Sequence, residues 1–440
     1  MSFSYQVYRL LSGGLFFPAL APLYLYSRLT GKFKEGFAQR MGRYSGDVIR
    51  RGGRRPRIWI HAVSVGEVRA AVAIRRAVKA LLPHSSMILS TTTDTGQALA
   101  RKASAPDDPC VYAPVDAPFA VGRALRAFRP DLLAVCETEI WPNWLMQARE
   151  AGIKAALVNG RISPRSFRRY LRIRPLVAPV LERLQTFSMI SEADAVRIRK
   201  MGADPGRVRV HGNAKYDGLL AQASEADRQE MARLMNLAPG DPVLVAGSVR
   251  GAEMKKVLNA FCRIRASLPR AVMVLAPRHL KNAALFAALA AKRGLTVQAR
   301  SALNPPEVKR TAPVVVLDTM GELMAAYGTA SAVFCGGSLA PLGGQNLLEP
   351  AAWAKPVLYG PSTEDFADAR EILESEGGGE AVSDEEQLAE RALYYLWRPE
   401  EAAAVGKKAL AAAAAQTGAG RRHAEEIAAL LENSARTARR

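Results

Sequence analysis

Cysteine is scarce. Cys110, Cys136, Cys262 and Cys335 are scattered over 440 residues with no CxxC pairing, which excludes a zinc ribbon and a disulfide framework and fits a reducing compartment. Aromatic residues make up only 7% of the chain, and no short-period repeat, collagen-like or low-complexity segment occurs. The G-x-G-x-x-G fingerprint with its downstream acid and the phosphate loop ending in GK[ST] are both missing, so dehydrogenase and NTPase readings fail. No Asp-x-Asp pair or His/Asp cluster offers a metal site, and metal-independent chemistry is expected.

What is present is a large apolar fraction, 49% of residues, with 34 Gly and 26 Pro. That is enough to bury the cores of two domains at this length. The net charge of +20 is uneven: residues 1–200 hold 32 basic and 14 acidic side chains, and residues 201–440 hold 29 and 27. A basic half suits nucleic acid, an anionic membrane or a phosphorylated substrate. The run Arg165, Arg168, Arg169, Arg172, Arg174 contains only Phe167 and Tyr170 as aromatics and sits in no nucleic-acid motif, so nucleic acid is not the expected partner.

An uncharged stretch from Leu10 to Ser27 is followed by Arg28, Lys32, Lys34, Arg40 and Arg43. Its length is borderline for a span of about 20 residues, and basic residues after it keep the remainder cytoplasmic. No small-residue cleavage site follows it. Gly13, Gly14, Pro18 and Pro22 weaken a straight span, so an interfacial anchor and a buried first helix stand as alternatives.

Further on, strand-like runs such as RIWIHAV (57–63), MILSTTT (87–93), DLLAVCE (131–137) and KAALVN (154–159) alternate with amphipathic segments. The pattern restarts after residues 212–241 with PVLVAGS, AVMVLAP, PVVVLD, AVFCGG and PVLYG. Two consecutive α/β domains with parallel sheets follow. Ligand loops belong beyond the carboxyl ends of such strands. At the first, HAVSVGE, Glu67 falls in an opening helical turn and reads either as a helix-cap acid or as a catalytic one. At CETEIWPNW, Glu137 and Glu139 follow an apolar strand, as site acids or as sheet-end ion-pair partners. In GGSLAPLGGQNLLEP two glycine pairs precede a helix opening at Asn346, with Glu349 one turn on, an arrangement suited to phosphate and ribose. Arg278 of APRH is a phosphate fork, and His279 reads equally as a cap.

Taken in order, HAVSVGE, TTTDTG, ETEIWPN, NGRIS, GNAKYD, AGSVRGAE, PRH, DTMGEL and GGxxxxxGGxNxLEP resemble the 3-deoxy-D-manno-octulosonic acid (Kdo) transferases of Gram-negative bacteria, from about residue 5 to residue 400. The resemblance implies a glycosyltransferase B-type α/β fold, two Rossmann-like domains facing a cleft plus an N-terminal membrane anchor helix. The anchor is expected over 1–30, an acceptor domain over 31–222, and a CMP-sugar donor domain with closing helices over 223–440. It implies inverting transfer of Kdo from CMP-Kdo to a lipid A precursor at the cytoplasmic face of the inner membrane. It makes Glu67 the base and assigns Glu137 and Lys215 to transition-state stabilisation. Pro277, Arg278, Met320, Gly321, Glu322, Asn346, Leu347, Leu348 and Glu349 match the CMP-binding segments. Gln39 departs from the pattern, since relatives often carry an acid in that segment. Another nucleotide-sugar enzyme of the same architecture and a non-catalytic binding protein are the competing readings.

Overall fold

The computed structural model describes residues 2–14, 35–51, 53–305 and 307–437, with side chains as far as residue 432. The chain divides into two units, Met1–Asp217 with Gln416–Arg440, and Gly218–Ala415.

The first unit is built on a seven-stranded parallel sheet: β1 (Arg57–His61), β2 (Ser86–Thr91), β3 (Cys110–Tyr112), β4 (Leu132–Cys136), β5 (Lys154–Gly160), β6 (Thr186–Met189) and β7 (Val208–Val210). Their order is β3-β2-β1-β4-β5-β6-β7, the doubly wound arrangement in which strand order reverses between β1 and β4. Ile58 lies opposite both Met87 and Leu132 in register. Side chains alternate across the sheet. Trp59, Leu133 and Val135 therefore enter one core, and Ile58, Ile60, Leu132 and Ala134 the other.

The second unit repeats the plan with β8 (Val243–Val249), β9 (Val272–Pro277), β10 (Val297–Ala299), β11 (Val314–Val316), β12 (Ala332–Cys335), β13 (Val357–Tyr359) and β14 (Gly379–Ala381). The order β10-β11-β9-β8-β12-β13-β14 puts its reversal between β8 and β12. The two α/β units of parallel strands accord with the sequence pattern, but β3, β7, β10 and β14 carry no strong apolar run. All four are edge strands of three residues, so each needs only one well-covered flank.

One expectation needs correction. The final helix, Ala419–Thr437, does not close the second domain. Its Ala419, Ala424 and Ile427 pack with Val68, Ala71 and Ile74 of helix Val65–Leu81 in the first unit, each fully buried aliphatic of Ile size contributing about 1.5–3 kcal/mol. The same helix runs to Thr437, and residues 438–440 lie outside the described residues.

Of the expected anchor, residues 3–14 form a helix whose Tyr5 is wholly buried in the first core. Tyr5 Oη reaches Asn143 Oδ1 at 3.3 Å and Tyr8 Oη donates to Asp116 at 2.9 Å. The rest of that segment, 15–30, lies outside the described residues. Among the described residues no helix is long and apolar enough to cross a membrane, and the four cysteines are free thiols.

Candidate active site

The strand reversal of the first unit brings two motifs side by side. Helix Val65–Leu81 starts just beyond β1, with Ser64 at its cap position and Glu67 in its first turn. The Glu67 carboxylate accepts the Val63 backbone N–H at 2.8 Å and the Ser64 hydroxyl at 2.9 Å. It thus braces its own loop, as the cap reading required, while standing at the carboxyl end of a central strand. Burial raises its pKa against the opposing pull of those donors. The TTTDTG loop supports it from behind: Thr93 Oγ1 donates to Val63 O at 3.0 Å.

After neighbouring β4 the chain turns at Glu137, whose φ of 50° lies in the left-handed region, a strained conformation for a non-glycine residue. ETE is therefore neither strand nor helix but a turn, and helix Pro142–Glu150 follows. Glu139 accepts the Trp141 indole N–H at 2.6 Å. It lies 4.0 Å from Nε2 of His61. Burial, with Glu67 and Glu137 as like-charged neighbours, pushes Glu139 up to about 7. His61 is driven down to about 4 by burial, so near neutral pH it is an uncharged partner, held by Ser90 Oγ at 3.0 Å and packed edge-on against Trp144. The result is an acid cluster able to hold a proton near neutral pH, and Glu139 is the member to which the family resemblance gives no role. The ETE spacing alone carried the signal for it.

Lys215 sits on the turn Ala214–Tyr216 after β7, its Nζ 5.2 Å from the Tyr216 ring. Asn159, also at φ 50°, accepts the Ala214 N–H on its Oδ1 at 2.8 Å. Gln39 has a local duty: its Oε1 accepts the Tyr112 N–H of β3 at 2.7 Å. The arginine run forms helix Pro164–Arg172 with Arg165, Arg168, Arg169 and Arg172 exposed. Tyr170 ties it to the acid loop by donating to Thr138 O at 3.0 Å. A cavity of about 1100 Å³, bordered by Arg55, Pro130, Ile153 and Lys154, lies at the amino ends of β1, β4 and β5, the opposite end of the sheet from these acids.

In the second unit the loops after β8, β9, β11 and β12 leave one edge, because all the strands are parallel. Pro277 ends β9; Arg278 is exposed and its N–H donates to Val249 O at 3.0 Å. His279 occupies a cap position with no side-chain cap bond. Met320 is 81% exposed. Glu322 is engaged by buried Arg300 at 2.9 Å and by Thr319, an ion pair that holds the DTMGEL loop. The helix expected at Asn346 begins at Leu348 and is one turn long. Asn346 bridges it, donating to Glu349 Oε1 at 3.2 Å and accepting the Leu348 N–H at 3.2 Å, while Leu347 and Leu348 are fully buried.

Glu253 closes the AGSVRGAE motif, but the sequence gives it no role; it is buried in the first turn of the helix Glu253–Ser267 after β8, the counterpart of Glu67. Its carboxylate accepts backbone N–H groups from Arg250, Gly337, Ser338 and Leu339, pinning the glycine loop. Gly336 has no room for a side chain there: a Cβ would come 2.7 Å from Val249 Cα. Gly343, at φ 83°, adopts a left-handed turn that only glycine takes freely. Among the described residues no three His, Cys, Asp or Glu side chains are grouped to hold a metal ion.

Anabaena HepE in complex with UDP matches with a TM-score of 0.60 at 14% identity, over 86% of this chain and 99% of that one. A UDP-GlcNAc 2-epimerase from Neisseria meningitidis also gives 0.60, at 12% identity over 86% and 100%. Both share the fold with its two Rossmann-like sheets, the glycosyltransferase B-like plan, and fold alone does not separate transferase from epimerase. The family model for 3-deoxy-D-manno-octulosonic-acid transferase (kdotransferase) matches residues 35–218. A bifunctional glycosyltransferase/methyltransferase of Fusobacterium nucleatum is 32% identical over 75% of this chain, which spans 51% of that protein's length. The 3-deoxy-D-manno-octulosonic acid transferase of Haemophilus influenzae is 31% identical over 78% of this chain and 80% of its own, and that of Bordetella pertussis 33% over 83% and 85%. With identity at that level over most of both chains, this protein belongs to the family of 3-deoxy-D-manno-octulosonic acid transferases.

Proposed function

We propose that the protein transfers Kdo from CMP-Kdo to a lipid A precursor of the lipid IVA type, with inversion at the anomeric carbon. The observation that carries this reading is the juxtaposition of Glu67 with Glu137 and Glu139 at the ends of adjacent strands β1 and β4. A sugar hydroxyl is a weak nucleophile, so Glu67 takes its proton as the oxygen attacks. The new C–O bond forms as the bond to the CMP phosphate breaks, and CMP leaves with the electron pair. Glu137 faces positive charge developing on the sugar ring, and Lys215 offsets negative charge gathering on the phosphate. The first unit is the acceptor domain. The second binds CMP through Pro277 and Arg278, Met320 to Glu322 and Asn346 to Glu349, on the loop that Glu253 holds.

The enzyme works at the cytoplasmic face of the inner membrane, anchored through its N-terminal segment. Phe3, Val7, Leu10 and Leu11 are exposed on helix Phe3–Gly14 at a spacing that places them on one face. Ser4 Oγ donates to Pro175 O at 2.7 Å, next to exposed Leu171, Ile173 and the arginine helix. An apolar stripe beside cations suits an anionic lipid surface, where each basic residue contributes about 1 kcal/mol.

The test is incubation of the purified full chain with CMP-Kdo and a tetraacylated lipid A precursor in anionic vesicles, read by mass spectrometry. A mass gain of one or more Kdo units is expected. No gain, from a chain that binds CMP, would overturn the reading.

A further inference from the structure

The terminal helix Ala419–Thr437 lies beyond every motif that carried the family resemblance, yet it touches the turn bearing Lys215 at several points. Both Asp217 carboxylate oxygens cap its start, accepting Ala419 N–H at 3.1 Å and Gly420 N–H at 2.7 Å. One turn on, Arg422 Nε donates to His211 O at 2.8 Å. His423, wholly buried, lies with Nε2 3.0 Å from Gly212 O. A carbonyl only accepts, so Nε2 carries the proton and Nδ1 is the acceptor. That fits its two other neighbours, the Ser188 hydroxyl and the Asn159 N–H at 3.5 Å. With the Ser188 hydrogen spent on His423, His211 Nδ1, 2.6 Å away, must donate to Ser188 Oγ. His211 Nε2 then faces Glu426 at 3.8 Å, and Glu426 accepts Thr186 Oγ1–H at 2.8 Å. The chain of bonds runs in one direction from His211 through Ser188 and His423 to the Gly212 carbonyl. The same helix packs on Val65–Leu81, which carries Glu67: a Cβ on Gly420 would lie 3.3 Å from the Ala73 carbonyl carbon.

We infer that the terminal helix is a positioning element for transfer, with His423 and Asp217 fixing the Gly212–Asp217 turn so that Lys215 is held in register with the Glu67 helix. This rests on the role proposed for Lys215. His423 touches no substrate; it acts through the turn. A displacement of about 1 Å at a reacting group costs on the order of 100-fold in rate.

The experiment compares His423→Leu, His423→Gln, Lys215→Ala and the double variant His423→Leu/Lys215→Ala in the full chain, with circular dichroism to verify folding. His423→Leu is expected to lower kcat about 10- to 100-fold with CMP affinity unchanged. It should also speed amide hydrogen exchange at residues 212–217. His423→Gln, whose amide N–H can reach the Gly212 carbonyl, is expected to restore most of both. In the Lys215→Ala background the leucine substitution should add little, since coupled residues are not additive. Wild-type kcat in His423→Leu beside an inactive Lys215→Ala would overturn the positioning role alone. Full activity in Lys215→Ala would instead overturn the role given to Lys215, and unchanged exchange in His423→Leu would by itself refute the clamp.

Discussion

The Glu253 carboxylate accepts the backbone N–H of Ser338 at 3.1 Å across 85 residues of sequence. The same group takes the N–H of Leu339 at 3.3 Å and of Arg250 at 2.9 Å, so one buried acid ties the end of β8 to the glycine loop after β12. Burial raises its pKa and the four donors oppose that rise. Removing it strands those N–H groups, at about 1–3 kcal/mol for each left unsatisfied. Glu253→Ala is expected to lower the urea midpoint and weaken CMP binding at least about tenfold, whereas Glu253→Gln, keeping one acceptor oxygen, loses less. Calorimetry and denaturation of both variants check this; an alanine variant matching wild type in both would contradict the tie.

Glu67→Gln keeps an oxygen for the Val63 N–H and removes only the base. Turnover should fall about 100- to 10,000-fold while CMP affinity stays near wild type. Near-normal turnover would mean that Glu67 is merely the brace of its loop.

Titration distinguishes the acids. Glu67 is a like-charged neighbour that raises the pKa of Glu139. Glu67→Gln removes that charge, so the Glu139 carboxyl should ionise at lower pH than in the wild-type chain. Infrared or NMR titration of the carboxyl groups measures the shift, and an unmoved or upward-shifted Glu139 would show that the two carboxylates do not interact.

Asp116 gives a stability signature. Burial pushes its pKa from 3.8 to about 7, although it accepts N–H bonds from Asn143 and Trp144 and the hydroxyl of Tyr8. Between those values the folded chain keeps a proton that the unfolded chain has released. Stability from this group therefore falls as pH rises through that window. Asp116→Asn cannot titrate, and its stability relative to wild type should rise with pH across the same range. Urea midpoints at several pH values measure the difference, and a constant difference would sink the assignment.

Replacing Arg168, Arg169 and Arg172 together with Ser tests the membrane face. Binding to anionic vesicles should weaken, and what remains should lose its salt sensitivity, because exposed charges are screened over about 10 Å at 0.1 M. CMP affinity should not change. Sedimentation with vesicles of graded anionic lipid content provides the measurement, and wild-type binding by the triple variant would place the attraction elsewhere.

The sequence by itself determined the central strands, because a strand covered on both flanks must be apolar throughout: RIWIH, LLAVC and VLVAGSV announce themselves. It also determined the motif loops, whose glycines and acids follow those strands directly, and the family resemblance that orders them. Only the tertiary structure decided the four edge strands, which at three residues each are too short to carry a strong apolar signal, and the home of the terminal helix. An amphipathic stripe such as Ala419, Ala424 and Ile427 shows that a helix must be covered but not by what; packing on the Glu67 helix settles it. The role of Glu253, though the residue closes AGSVRGAE, stayed hidden for a related reason. A carboxylate accepting backbone N–H groups 85 residues away needs no side-chain partner, and backbone donors, being the same at every residue, do not show in a sequence which loop it holds.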